Sequence, residues 1–261
     1  MDYTNLDIAV AEGIATVWMN RPERHNAFDE TLIAELTQAF VALDANAAVR
    51  AVVLAARGKS FSAGADLGWM RRAASYTAEE NLRDARALAA MLKTIDRMTK
   101  PTVARVQGAA LGGGTGLACA CNIAIASTDA SFATTEVKFG IVPATVGPYV
   151  VRAIGERMAS RYFLTAERFD AHEARRIGMV HDVCAPEALD ERVRSVAQSL
   201  LAGGPNAQAA AKLLLRTITH RTIDDALIED TARCIAELRA TPEAKEGVGA
   251  FLDKRDPGWR S

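Results

Sequence analysis

Val106-Gln107-Gly108-Ala109-Ala110-Leu111-Gly112-Gly113-Gly114-Thr115-Gly116-Leu117-Ala118-Cys119-Ala120-Cys121-Asn122 is the stretch from which the fold is read. Three successive glycines stand between a β-rich run, Thr102 to Val106, and an apolar run of helical character. Glycine has no Cβ, so its backbone reaches positive φ and lets other groups come close, which predicts a tight strand-to-helix turn. A helix starting there presents N–H groups without intrahelical acceptors, and its dipole adds positive potential. Such a turn suits a phosphate or a developing oxyanion, but it serves close helix-on-strand packing equally well, and the triplet alone does not choose.

Working outward, Leu6 to Asn20 reads as a hairpin turning at Glu12-Gly13. A polar loop, Arg21 to Ala27, follows, and Asp29 is placed to cap a helix with Leu32, Ile33, Leu36, Phe40 and Leu43 on one face. Val49 to Ala55 has the length and continuous apolarity of a buried parallel strand. Arg57-Gly58-Lys59-Ser60-Phe61-Ser62-Ala63-Gly64-Ala65-Asp66-Leu67 is a second loop of small residues after a strand. Ligands of α/β folds gather at the carboxyl ends of strands, so the two loops are expected to face one site. Thr77 to Arg97 is expected to be a helix with Leu82, Leu88, Ala89, Leu92 and Ile95 inward. Ile123 to Ala126 reads as a strand, Met179 to Val183 as a last short one, and the chain from Thr145 onward as mostly helical. The order is repeated strand-strand-helix units and then helices, which predicts an α/β core over 1–200 and a helical extension over 201–261.

Composition narrows the class. The 261 residues are 49% apolar and 24% charged with a net charge of -1, ordinary globular values without a basic footprint for nucleic acid. No window approaches eighteen uncharged apolar residues, and Met1-Asp2-Tyr3-Thr4-Asn5 lacks the basic segment and apolar run of a signal peptide, so a cytoplasmic protein without a membrane span is expected. Four cysteines are too few for a disulfide scaffold, and Cys119 and Cys121 sit in an apolar run without histidine partners, so they read as core and no metal is expected.

The ordered set Phe61-Ser62-Ala63-Gly64-Ala65-Asp66-Leu67, Lys100-Pro101 through Gly114, Ser131-Phe132 with Glu136, and Gly140-Ile141-Val142-Pro143 resembles the enoyl-CoA hydratase/isomerase (crotonase) family. The resemblance extends through Leu164-Thr165-Ala166, Ala171-x-Glu173-Ala174 and Gly178-Met179-Val180 to Glu246 through Arg255. It implies a spiral of ββα units, a homotrimer or a hexamer of paired trimers, acyl-CoA thioesters as substrates, and no cofactor beyond the coenzyme A that the substrate carries. It implies a catalytic set of two backbone N–H groups, those of Ala65 and Gly113, forming an oxyanion hole, with Glu136 as acid-base group. An enolate held by preorganised amides is a reaction those groups serve well, each donor being worth about 3 to 4 kcal/mol in the transition state. The same resemblance assigns substrate contacts to Arg24, Ala27, Ala63, Asp66, Leu67 and Gly112, and to Phe251 and Lys254 from a neighbouring subunit.

One position departs. Hydratases of this family carry two glutamates, and where the first should stand this chain has Gly116. A glycine transfers no proton, so Glu136 is the only matched carboxylate. Ala144-Thr145-Val146-Gly147-Pro148-Tyr149 also replaces a glycine-rich family stretch and is similar to bacterial methylglutaconyl-CoA and isohexenylglutaconyl-CoA hydratases. A substrate of that kind has a second carboxylate, for which Arg72, Lys138 and Tyr149 are candidates by residue type; Thr115 and Thr134 are candidates to position water. Three activities are weighed: hydration through one carboxylate, Δ3,Δ2-isomerisation through the same carboxylate, and a catalytically silent acyl-CoA- or RNA-binding role. Acidic residues interleaved with the basic ones of 79–100 weigh against RNA.

Overall fold

The computed structural model describes residues 3–260; Met1 and Asp2, part of the N-terminal reading above, and Ser261 lie outside the described residues. Strands β1 (Leu6–Ala11) and β2 (Ile14–Met19) form the expected hairpin, in register from Leu6 opposite Met19 to Ala11 opposite Ile14. Glu12 and Gly13 both take positive φ, 50° and 77°, the pair a type I′ turn needs to match strand twist. Asp29 accepts from the Leu32 N–H at 2.9 Å and starts α1 (Glu30–Ala45), whose predicted apolar face is buried. Every residue of β3 (Ala51–Ala56) is buried, because parallel neighbours flank it on both edges and helices cover both faces.

The sequence reading ends the loop after β3 at Leu67 and assigns no element to 68–76, where the structure has a helix. Asp66 accepts from the Gly68 and Trp69 N–H groups and starts a short helix, α2 (Leu67–Ala73). Thr77 then forms a capping box with Glu80 at the start of α3 (Ala78–Arg97). Met91, Leu92 and Ile95 of α3 are buried, whereas Leu82, expected inward, is 49% exposed, because the first turns of α3 project beyond the packed layer. After β4 (Thr102–Val106) a strand missed by the sequence reading, β5 (Ala109–Leu111), intervenes before α4 (Gly113–Ala120). The chain continues through β6 (Ile123–Ser127), β7 (Ser131–Ala133), a 3-10 turn (Glu136–Phe139) and α5 (Gly147–Thr165), which kinks at Gly155. β8 (Phe169–Asp170), α6 (Ala171–Arg176), β9 (Asp182–Cys184), α7 (Leu189–Leu201), α8 (Pro205–Ile218), α9 (Asp225–Ala240) and α10 (Pro242–Leu252) complete it. The last strand thus starts at Asp182, and Met179 and Val180 are buried in the turn before it.

Two sheets result. The larger has the order β1-β2-β3-β4-β6-β9, antiparallel only at β1-β2, and the smaller has β5-β7-β8. Isolated bridges from Phe28 to Ala65 and from Ser62 to Ala110 extend the smaller one. Successive units therefore give one strand to each sheet and return by a helix, which is the ββα spiral. The three residues Ala109 to Leu111 form a strand of the smaller sheet, so the glycine turn joins that sheet, not β4, to α4.

The C-terminal helices are tied to this core through Lys212 of α8, 9% exposed, whose Nζ donates to the Lys100 carbonyl at 2.7 Å. Burial pushes its pKa down to about 8. An unfolded lysine titrates near 10.4, so between those values the unfolded chain holds more protons and stability rises with pH. The unfolding free energy of the native chain relative to Lys212→Met, measured by urea denaturation, is expected to increase from pH 7 to 10. A difference independent of pH would show that Lys212 is not held against its charge.

Candidate active site

The two small-residue loops lie side by side. Phe61 and Ser62 N–H groups donate to the Gln107 and Ala109 carbonyls, each at 2.9 Å, and the Leu111 N–H donates back to Ser62 at 2.9 Å. Gly64 has φ 89°, and a Cβ there would stand 2.9 Å from the Leu111 carbonyl oxygen. Phe28 donates to the Gly64 carbonyl at 2.6 Å and accepts from Asp66 at 2.8 Å. Between those two bonds the Ala65 N–H has no acceptor among the described residues, and Ala65 is exposed. The Gly112 N–H is taken by the Ala133 carbonyl at 2.7 Å, whereas that of Gly113, the first residue of α4, has no acceptor among the described residues. A Cβ on Gly113 would lie 2.6 Å from the Phe28 ring and one on Gly114 2.5 Å from the Ser62 carbonyl oxygen, so the Phe28 side chain and the Ser62 backbone fill the space beside α4.

Glu136 opens the 3-10 turn after β7, not a strand as an isolated reading would have it. Its Oε1 lies 3.3 Å from where a Cβ of Gly112 would be, beside the α4 N-terminus. Its Oε2 is buried and has no hydrogen-bond partner among the described residues. Burial pushes its pKa above the ordinary glutamate value, and a backbone hydrogen bond in its own turn only partly offsets this. One desolvated carboxylate therefore stands next to two free N–H groups.

The sequence profile of the enoyl-CoA hydratase/isomerase family matches residues 9–261. The chain belongs to the enoyl-CoA hydratase/isomerase family. A crotonyl-CoA hydratase of Syntrophomonas wolfei is 35% identical with all of both chains covered, and an (E)-benzylidenesuccinyl-CoA hydratase of Thauera aromatica is 33% identical over 97% of this chain and 98% of that one. The crystal structure of an enoyl-CoA hydratase from Shewanella pealeana is similar at a TM-score of 0.95 with 42% identity, covering 98% of this chain and 96% of that one. The chain is thus an enzyme of hydro-lyase type with a crotonase fold.

Other expectations for this enoyl-CoA hydratase/isomerase chain fare unevenly. Ala63, Asp66, Leu67 and Gly112 surround the two free N–H groups; Leu67 is 73% exposed at the mouth. Although burial works against it, the Trp69 and Gly68 N–H groups, with Arg21 and Arg24 nearby, hold the Asp66 carboxyl below its usual range. Arg24 is exposed on a 3-10 turn and Ala27 is buried behind it. Phe251 is 82% exposed and Lys254 is exposed at the end of α10, which packs on α8 and α9, so one protomer does not enclose them, and Phe251 is not a core residue. Thr115 and Thr134 do not face the site: both are buried, and their hydroxyls donate to the Ala110 and Tyr162 carbonyls at 2.7 and 3.0 Å. Thr135, which the sequence reading passed over, has its Oγ1 3.5 Å from the same Gly112 position that Glu136 approaches. Arg72 is paired with Glu30 at 2.7 Å, and Tyr149 is partly buried under Arg152, whereas Lys138 is exposed without an ion pair among the described residues.

Asn26, also passed over, fastens the first loop to the second. Fully buried, it donates to the Arg57 and Ser60 carbonyls at 2.8 Å each and accepts from the Arg21 N–H at 2.9 Å. No signal short of the fold distinguishes it from any loop asparagine. Among the described residues no group of three His, Cys, Asp or Glu side chains could hold a metal ion, and Cys119 and Cys121 are buried with thiols pushed up to about 12.

The Phe28 contact yields a test. Gly113→Ala drives a methyl into the ring and moves the Gly113 N–H. Thermal melting is expected to show a loss of about 1 to 3 kcal/mol, and turnover of any enoyl-CoA substrate to fall by roughly 100-fold or more. Full activity in the variant would remove Gly113 from the site.

Proposed function

We propose that this enzyme adds water to, or removes it from, a 2-enoyl-CoA thioester, with the Ala65 and Gly113 N–H groups holding the thioester oxygen as an enolate. Glu136 takes a proton from water as the oxygen joins C3, and returns one to C2. The observation that carries this reading is the desolvated Glu136 carboxylate beside two N–H groups that have no acceptor. Preorganised donors in a site poor in water stabilise developing negative charge without reorganising. A carboxylate with a raised pKa is a better base at neutral pH than an ordinary one.

For the substrate we propose a branched glutaconyl-CoA, such as 3-methylglutaconyl-CoA. The absence of a second glutamate at Gly116 supports it, and unpaired Lys138, two residues after Glu136, is a suitable partner for a distal carboxylate. The name of the Thauera relative, a succinyl thioester hydratase, is consistent with a second carboxylate in this family. We further propose a trimer, alone or paired, built on the extension over 201–261. The exposed apolar residues Ile223, Val248, Phe251 and Leu252 support this, and a neighbour's Phe251 and Lys254 would then reach the CoA.

The alternative with its own support is Δ3,Δ2-isomerisation, because one carboxylate suffices to carry a proton between two carbons. Incubation with 3-methylglutaconyl-CoA, crotonyl-CoA and a 3-enoyl-CoA, read by product mass and thioester absorbance, separates the two. Gain of one water on the branched substrate is expected; an unchanged mass with a newly conjugated double bond identifies an isomerase. Glu136→Gln is expected to lose roughly 100- to 10,000-fold in turnover while still binding acyl-CoA. Glu136 must be ionised to act as base, so kcat/KM is expected to fall as pH drops through a value above the usual ~4.3 of glutamate. Unchanged turnover in the glutamine variant would overturn the reading.

A further inference from the structure

Gly116 is not an empty place. A Cβ built on it would lie 2.2 Å from Cγ1 and 2.4 Å from Cβ of Val146, distances that no pair of carbon atoms tolerates without displacement. Val146 is firmly seated: it is 2% exposed, and its carbonyl accepts from the Tyr149 and Val150 N–H groups at 3.1 Å each as α5 begins. Gly116 is joined to Gly112 by an N–H to carbonyl bond of 3.2 Å, which puts the two one helical turn apart, about 5.4 Å along the axis. Glu136 abuts Gly112 and Val146 abuts Gly116. The segment from Glu136 to Val146 therefore runs along the first turn of α4, with the carboxylate at one end and the isopropyl group at the other.

We propose that Val146 limits the site to one carboxylate: its isopropyl group fills the space that a second proton-carrying side chain on α4 would need. The proposal rests on reading Glu136 as the proton carrier. Gly116 and Val146 then form a coupled pair, in which the small residue on α4 and the bulky one on the facing segment exclude each other's alternatives. Restoring a glutamate at 116 alone cannot restore a two-carboxylate site.

The test reads both stability and a gain of function, and thermal melting requires no turnover, so the steric exclusion stands apart from the question of whether Glu136 carries the proton. Gly116→Glu alone is expected to lower the melting temperature and the activity. Gly116→Glu with Val146→Gly is expected to recover the fold and to hydrate crotonyl-CoA at least about tenfold faster than either single variant, an interaction between touching sites. A double variant no more stable and no more active than Gly116→Glu alone would overturn the steric exclusion.

Discussion

The site depends on the absence of side chains along the first turn of α4. Gly113, Gly114 and Gly116 each have another group where a Cβ would be, the Phe28 ring, the Ser62 carbonyl and the Val146 isopropyl group, and the Glu136 carboxylate stands 3.3 Å from the Cβ position of Gly112. These four groups come from three separate parts of the chain. Protein interiors are packed too densely for the first three to be there if a methyl group were present, so the glycines decide which segments can meet. The rest of the fold holds those segments in place. The parallel strands β3 and β4 end together, and the loop after β3 then lies along β5 through three hydrogen bonds of 2.9 Å each.

From this packing follow the electrostatics. Helix N-termini expose N–H groups, and here the segments crowded against α4 bring no acceptor to the one on Gly113. The same crowding dries the neighbouring carboxylate, which raises its proton affinity. A free N–H group and a carboxylate of raised proton affinity are thus two consequences of one close approach, and neither requires a strained or charged device of its own. Asp66 illustrates the opposite arrangement one loop away: a carboxylate that caps a helix keeps its charge through two N–H groups, and so serves the architecture that aims Ala65.

Much of this was legible before any coordinates. Periodicity identified α1, the hairpin and the buried strand β3, since each is long enough for its burial pattern to repeat. Ordered motifs identified the family, and the positions they pointed to, 65, 113 and 136, lie near one another in the fold. The short strands β5, β7 and β8, of three, three and two residues, were not legible, because so few residues cannot display a period and their pairing is with distant segments. The same holds for Asn26 and Thr135, whose importance is set by what lies across from them. Thr115 and Thr134 were misread in the converse way, since a hydroxyl near a motif carries no sign of whether a carbonyl has already claimed its proton.

Because the groups proposed to hold the oxyanion are backbone N–H groups, their position is insensitive to which side chains stand further along α4. The proton carriers, by contrast, are side chains, and each occupies volume that something else must vacate. A change at position 116 is therefore tied to the facing residue and leaves the Ala65 and Gly113 N–H groups where they are. On the proposed reading, this separation lets the N–H groups that hold an enolate stay in place while the side chains that carry protons change. The backbone sets the charge that can be stabilised, and the packing opposite the α4 glycines sets how many carboxylates can attend it.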